Sequence, residues 1–239
     1  MNFSTLFRLE ENLNLDKKTL VNLRWIAIIG QLLAINFVYF FLKLDLPIIG
    51  THIIISIGFI TNIILQFKIK TNQLKDFNSA LFLVYDLLQL STLLYLTGGI
   101  FNPFSLLIII PTIVSSTFLS MGTTIILGTV TTGLLFFLKK YYKMLPGSDI
   151  HSFNFPEYYL AGALVSIIIG LVFLSYFGIK FSGEKKKRSE ALDKLQEVMV
   201  KEYELDSLGG QAAAAAHSLG TPLATISVVA KELKKEIGD

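Results

Sequence analysis

The 239 residues include no cysteine. Disulfides, thiolate metal sites and thiol redox switches are therefore excluded within this sequence, and any redox sense must use a bound molecule. Charge is also scarce: Asp, Glu, Lys and Arg make up 16%, against 52% hydrophobic residues and a mean hydropathy of +0.60. That is a membrane composition. The net charge of +3 is too small to argue for nucleic acid. Basic residues instead cluster beside apolar runs, as they do in membrane proteins. No metal-ligand spacing is present, and His52 and His151 read as ordinary interfacial residues. No internal repeat is visible. A secretory signal is also missing: the first apolar run begins near residue 23, lasts about 20 residues and has no small-residue cleavage site, so it reads as a retained span.

What is present is a series of apolar runs, and the expected fold class is an all-α membrane protein with six spans over 23–179. Residues 1–22 are polar, with Arg8, Lys17, Lys18 and Arg24 before the first span and Trp25 as an interfacial anchor. The spans are expected at about Leu23–Leu42, Ile48–Phe67, Phe77–Leu96, Pro103–Leu119, Thr123–Leu138 and Tyr158–Ile179. Pro111 should kink the fourth, and Met121-Gly122 should form a very tight connection to the fifth. Basic residues at the N-terminus, at Lys68, Lys70 and Lys75, and at Lys180 to Arg188 put both ends in the cytoplasm. Lys139, Lys140 and Lys143 oppose this by facing outward, so a re-entrant fourth or fifth span is the competing topology.

A charged linker, 180–210, follows the last span. Lys185 to Arg188 reads first as the positive flank of that span and second as a contact for anionic lipid. Leu192, Leu195 and Met199 form a short apolar stripe that does not keep one phase with the apolar positions after Leu205, so a stutter is expected. Gly209-Gly210 costs about 1 kcal/mol per residue in a helix interior, which makes a signal-relaying joint or simply a poor stretch of helix. Leu205, Leu208, Ala212, Ala215, Leu219, Pro222, Ile226, Val229 and Leu233 recur at alternating spacings of three and four. That is a heptad seam for packing against another helix. His217 points away from the seam, at about 200° from its neighbours on it. Its neutral imidazole is a nucleophile near pH 7. Pro222 should bend the helix just beyond it.

A lone histidine on an amphipathic helix is usually a solvated surface residue. Here it stands in a fixed run, His217, Ser218, Leu219, Gly220, Thr221, Pro222, Leu223. The run resembles the H-box of sensor histidine kinases, and AAAAAHSLGTPLATI resembles the redox-responsive RegB/PrrB branch. The resemblance implies that residues 211–239 begin a dimeric phosphoacceptor domain and that His217 accepts a phosphoryl group from ATP. Thr221 would stand where the family orients water for dephosphorylation of the response regulator. Ser218 departs from the pattern, replacing the acidic residue that assists proton removal from the histidine.

A second informative stretch is LYLTGGIFNPF, Leu94 to Phe104. Gly98-Gly99 permits unusual backbone conformations, and Asn102-Pro103 favours a turn and then a helix start. These residues make either a tight turn or a site for a flat, lipid-soluble carbonyl compound, using exposed backbone donors, an amide and the rings of Phe101 and Phe104. Gly98, Gly99, Asn102, Pro103 and Phe104 also resemble the GGxxNPF signature of RegB-type kinases. By that resemblance they bind ubiquinone. Asp86, an acid deep within a span, needs a partner or water. It reads as packing the bundle together with Gln89 one turn on, with a proton linked to quinone chemistry as the alternative.

The resemblance implies a homodimer that reads a membrane quinone in the bacterial inner membrane and passes phosphoryl groups to a response regulator. No Gly-rich ATP lid or Asn-rich Mg²⁺ box comes after His217, so ATP and Mg²⁺ have no site in these residues. The expectation is a fragment, or a chain that depends on another polypeptide. Two other classes compete. One is a non-enzymatic quinone-sensing regulator that pairs with a complete kinase; the other is a small transporter with Asp86 on its substrate path.

Overall fold

The computed structural model describes residues 15–69, 71–143 and 157–238. The expectation for His151 lies outside them. The chain divides into two compact units, residues 1–183 and 184–239.

In the first unit, β1 (Leu15–Asp16) leads into α1 (Lys17–Phe40), then α2 (Ile48–Lys68), β2 (Gln73–Leu74) and α3 (Asp76–Leu96). Short 3₁₀ segments at Gly99–Phe101 and Pro103–Ile109 precede α4 (Ile110–Phe118) and α5 (Met121–Lys140). Helix α6 (Glu157–Ile237) is continuous over 81 residues. The strands β1 and β2 pair antiparallel, Leu15 with Leu74 and Asp16 with Gln73. Lys17 Nζ donates to the carbonyl of Ile69 at 2.7 Å, satisfying an acceptor at the end of α2.

Among the described residues, five helices are long and apolar enough to cross a bilayer: α1, α2, α3, α5 and α6. The expected fourth span is shorter, Pro103–Phe118, and changes from 3₁₀ to α geometry at Ile110, beside Pro111. Pro111 therefore opens α4 rather than kinking the middle of one long helix. The 3₁₀ rise of about 2.0 Å per residue stretches this segment to roughly 27 Å, close to a hydrocarbon core. Its two ends are fixed by neighbours. At one end, Asn102 Nδ2 donates to the Thr97 carbonyl at 3.0 Å, holding the start of the segment at the exit of α3. At the other, Asp76 at the start of α3 accepts from Ser120 N–H at 2.9 Å, from Ser120 Oγ at 3.0 Å and from Thr123 Oγ1. The segment thus runs alongside α3 from one end to the other.

The unit is apolar on the outside. Ile26, Phe41, Ile49 and Phe67 are all more than two-thirds exposed, as lipid contact requires. Inside, small polar residues close the helix contacts: Thr112 bonds Thr131 at 2.8 Å and Ser115 bonds Thr124 at 3.0 Å. Leu87, Leu94, Ile108, Leu135 and Leu138 fill the core between them.

Two further expectations are corrected. The tight connection is Leu119-Ser120 rather than Met121-Gly122, because Ser120 caps α5 by accepting from Thr123 N–H at 3.2 Å. Arg24 is not a solvated flank: it lies within α1 and is 4% exposed. The Asp76 cluster gives a direct test. Asp76→Ala should cost about 1 kcal/mol or somewhat more, since it leaves the partly buried donors around Ser120 unmatched. Thermal unfolding in detergent, monitored by circular dichroism, measures this, and an unchanged midpoint would mean the cluster adds nothing.

The second unit is helical from residue 184 to Ile237. The helix continues through Gly209-Gly210 and carries Pro222 inside it.

Candidate functional site

Two places collect the residues singled out by sequence. In the first unit a cavity of about 460 Å³ lies between α1, α3 and the Pro103–Phe118 segment. Its α1 wall is thin because Ala27, Gly30 and Ala34 leave side-chain space unfilled. Leu90, Leu94, Leu107 and Val114 make much of the opposite wall apolar.

Asn102 and Phe104 border one end of this cavity; Gly98, Gly99 and Pro103 are not in its wall. The glycines shape the turn. Gly98 has φ +110° and Gly99 φ +59°, a region that side chains rarely enter. A Cβ on Gly99 would also sit 2.8 Å from the Leu138 carbonyl oxygen. Pro103 occupies the first helical turn, where its missing donor costs nothing. The Asn102 amide is consumed locally. Its Nδ2 donates to the Thr97 carbonyl at 3.0 Å and to Thr97 Oγ1 at 2.7 Å, while its Oδ1 accepts from Phe104 N–H at 2.9 Å. Phe104 keeps an exposed ring, and Phe101 instead stacks obliquely with Tyr142 at 5.1 Å between centroids.

Asp86 borders the cavity further along and has a partner that sequence reasoning missed. Arg24 Nε donates to Asp86 Oδ1 at 2.9 Å, and Arg24 Nη2 to Thr61 Oγ1 at 2.9 Å. The guanidinium also lies 5.5 Å from the Phe82 ring centroid and 5.3 Å from that of Tyr85, a favourable placement for a planar cation. Next to the pair, Gln89 Nε2 donates to Gln31 Oε1 at 3.3 Å. Gly58 makes room for Gln89, because any Cβ there would collide with its amide. Asp86 therefore does pack the bundle, by tying α3 to α1. A signal for this existed: a lone acid deep in a span demands a cation, and Arg24 is close to the start of the first run.

The second place is the helix of the second unit. His217, Ser218 and Thr221 are exposed there. Ala216, Gly220 and Ala224 leave a shallow hollow beside His217 and Thr221, so a large partner can approach the ring. Ser218 Oγ donates to the Ala215 carbonyl at 3.0 Å, which turns it back onto its own helix. The seam is bare: Leu205, Leu219 and Ile226 are each more than 60% exposed. No group of three or more metal-ligating side chains occurs among the described residues.

Known proteins resemble this chain over most of its length. The family model of the PilS-like transmembrane domain matches residues 16–192. Sensor histidine kinase RegB of Cereibacter sphaeroides is 40% identical over 223 residues, which is 93% of this chain and 48% of that protein. RegB from a second source, a defined strain of the same species, gives the same figures. The chain thus spans about half the length of the curated relatives it matches. No solved structure matches it.

Proposed function

Since the chain belongs to the PilS-like transmembrane-domain family, we propose that it is the sensor and phosphoacceptor part of a redox-responsive membrane histidine kinase. His217 accepts the γ-phosphoryl group of ATP and passes it to an aspartate of a response regulator. ATP and Mg²⁺ are bound by a domain outside these 239 residues. Residues 23–179 sense, 180–210 relay, and 211–239 present the histidine. The first unit crosses the bacterial inner membrane six times with both ends in the cytoplasm. Supporting this is the end-to-end course of Pro103–Phe118 beside α3.

The observation that carries the reading is an exposed His217 with Leu219, Thr221, Pro222 and Leu223 after it at H-box spacing, in a chain 40% identical to RegB. The bare seam from Leu205 to Leu233 pairs with a second copy. Thr221, one turn beyond His217, orients water when the regulator is dephosphorylated. Ser218 cannot serve as the base that its acidic counterpart would be, so proton removal falls to another group. The sensed molecule is a membrane quinone, ubiquinone by resemblance. It occupies the cavity bordered by Asp86, Asn102 and Phe104, while Gly98, Gly99 and Pro103 hold the loop that closes one end. A ligand shifts the output only by binding one signalling state more tightly than the other.

The test is phosphorylation by ATP in native membranes with the quinone pool held oxidised or reduced. The expected label is alkali-stable and acid-labile, and its rate differs between the two pools. An acid-stable label would overturn the histidine assignment. Equal rates would overturn the redox assignment.

A further inference from the structure

The Pro103–Phe118 segment has two different faces. Phe104, Leu107, Pro111 and Val114 border the cavity. Val114 and Ser116 are two residues apart in α4, so their side chains point about 200° apart. Ser116 is 2% exposed and lies against α6 instead of the cavity. Its Oγ is fixed in place by donating to the Ile113 carbonyl at 2.7 Å. Opposite it stands Gly178: a Cβ built there would collide with Ser116 Oγ, and would lie 3.1 Å from Ser116 Cβ and 3.2 Å from Thr117 Oγ1. At this point the two helices come closer than any side chain on Gly178 would allow. Over this stretch α6 meets its own unit along one narrow line. Leu171, Gly178 and Ser182 are buried, while Phe173, Tyr176, Phe177 and Phe181 are each more than half exposed. From Gly178 the helix runs on without a break to the stretch that bears His217.

We propose that the Ser116–Gly178 contact is the coupling point through which the Pro103–Phe118 segment passes cavity occupancy to α6, with Gly178 as a positioning residue for the output helix. This rests on the quinone reading above and deepens it by naming the route of regulation. A ligand in the cavity touches the segment on one side, and α6 touches it on the other. The first half, Pro103–Ile109, is 3₁₀ helix, whose hydrogen-bond geometry is poorer than that of an α-helix, so it yields before α4 does. Asp76 holds the far end of α4 by accepting from Ser120 N–H at 2.9 Å. The movement left to α4 is therefore chiefly a rotation about its own axis. Converting one residue between 3₁₀ and α geometry turns the helix that follows by about 20°. That rotation carries Ser116 across Gly178, and a close-packed contact without slack obliges α6 to follow. Ser175 Oγ, three residues before Gly178, is buried without a hydrogen-bond partner among the described residues. The unmatched hydroxyl is a cost in this arrangement, and a turn of α6 that finds it an acceptor stabilises the second state. A ligand that favours one of the two arrangements thereby sets the output.

The protein completed with an ATP-binding domain is placed in membrane vesicles with added ubiquinone-1 held oxidised or reduced, and its rate of phosphoryl labelling is measured in each. Gly178→Ala should bring the ratio of the two rates to about one, whichever form the unaltered protein favours. Alanine is a better helix former than glycine, so a weakened α6 does not explain such a loss. Gly170→Ala makes the same change about two turns earlier in α6, where nothing lies within 4 Å of a Cβ, and should leave the ratio as it was. Ser116→Gly combined with Gly178→Ala removes both Ser116 atoms that the new methyl meets. The pair should restore about half of the original ratio or more, as coupled neighbours do. Binding of ubiquinone-1 by the Gly178→Ala chain, followed by quenching of Trp25, the sole tryptophan, should stay within about threefold of the unaltered chain. A ratio that survives Gly178→Ala, a loss that Ser116→Gly does not restore, or a loss of ubiquinone-1 binding together with the ratio would each overturn the coupling contact and leave the quinone reading standing. Equal rates in the unaltered protein would overturn both.

Discussion

Replacing Asp86 with alanine should destabilise the transmembrane unit by about 3–5 kcal/mol, the usual cost of removing one partner from a buried ion pair. The reason is the residue left behind. Arg24 would remain 4% exposed, with only Thr61 as a partner, in a segment surrounded by lipid. Arginine does not give up its proton, so the charge cannot be neutralised. Aromatic contact with Phe82 and Tyr85 compensates only in part. Replacing both residues, as Arg24→Leu with Asp86→Ala, should recover most of the loss, because the pair itself offsets its own desolvation only narrowly. Unfolding of the single and double variants in mixed micelles measures this. If Asp86→Ala alone costs less than about 1 kcal/mol, a value typical of an exposed pair, the two side chains do not meet inside the membrane.

The second large effect concerns chemistry. If His217 is the phosphoacceptor as proposed, His217→Gln in a protein completed with an ATP-binding domain should abolish phosphoryl labelling outright. Glutamine keeps a polar side chain of similar reach on an exposed helix position, so folding should be unaffected. It has no nucleophilic nitrogen near neutral pH, whereas the imidazole does. Among the described residues the remaining histidine is His52, whose Nδ1 lies 2.9 Å from the Ile48 carbonyl within α2. Labelling that persists at the unaltered level would mean that His217 is not the acceptor. Circular dichroism of the variant separates loss of chemistry from loss of helix.

Much of the first unit is legible from residue order. Runs of about 20 apolar residues set α2, α3 and α5 to within two positions, while α1 begins six positions before its apolar run, since spanning length and composition are local properties. The run from His217 to Leu223 and the Gly-Gly and Asn-Pro pairs are equally visible, because spacing within one stretch is all they require. The fourth segment is harder. Its apolar run suggests one helix with a kink, whereas its 3₁₀ half is specified by the capped turn at Asn102 together with packing against α3 and α5. Arg24 misleads for a related reason. A cation near the start of an apolar run is ordinarily a flank, and only an acid 62 positions away makes it an interior residue. Residue order, through periodicity and motif, is enough to say which stretches enter the membrane and which histidine faces water. Helix packing had to add that Asn102 is spent on its own loop, that Arg24 meets Asp86, and that both Asn102 and Arg24 border one cavity. Such facts depend on which helices meet and how closely, and no local pattern encodes a distance between helices.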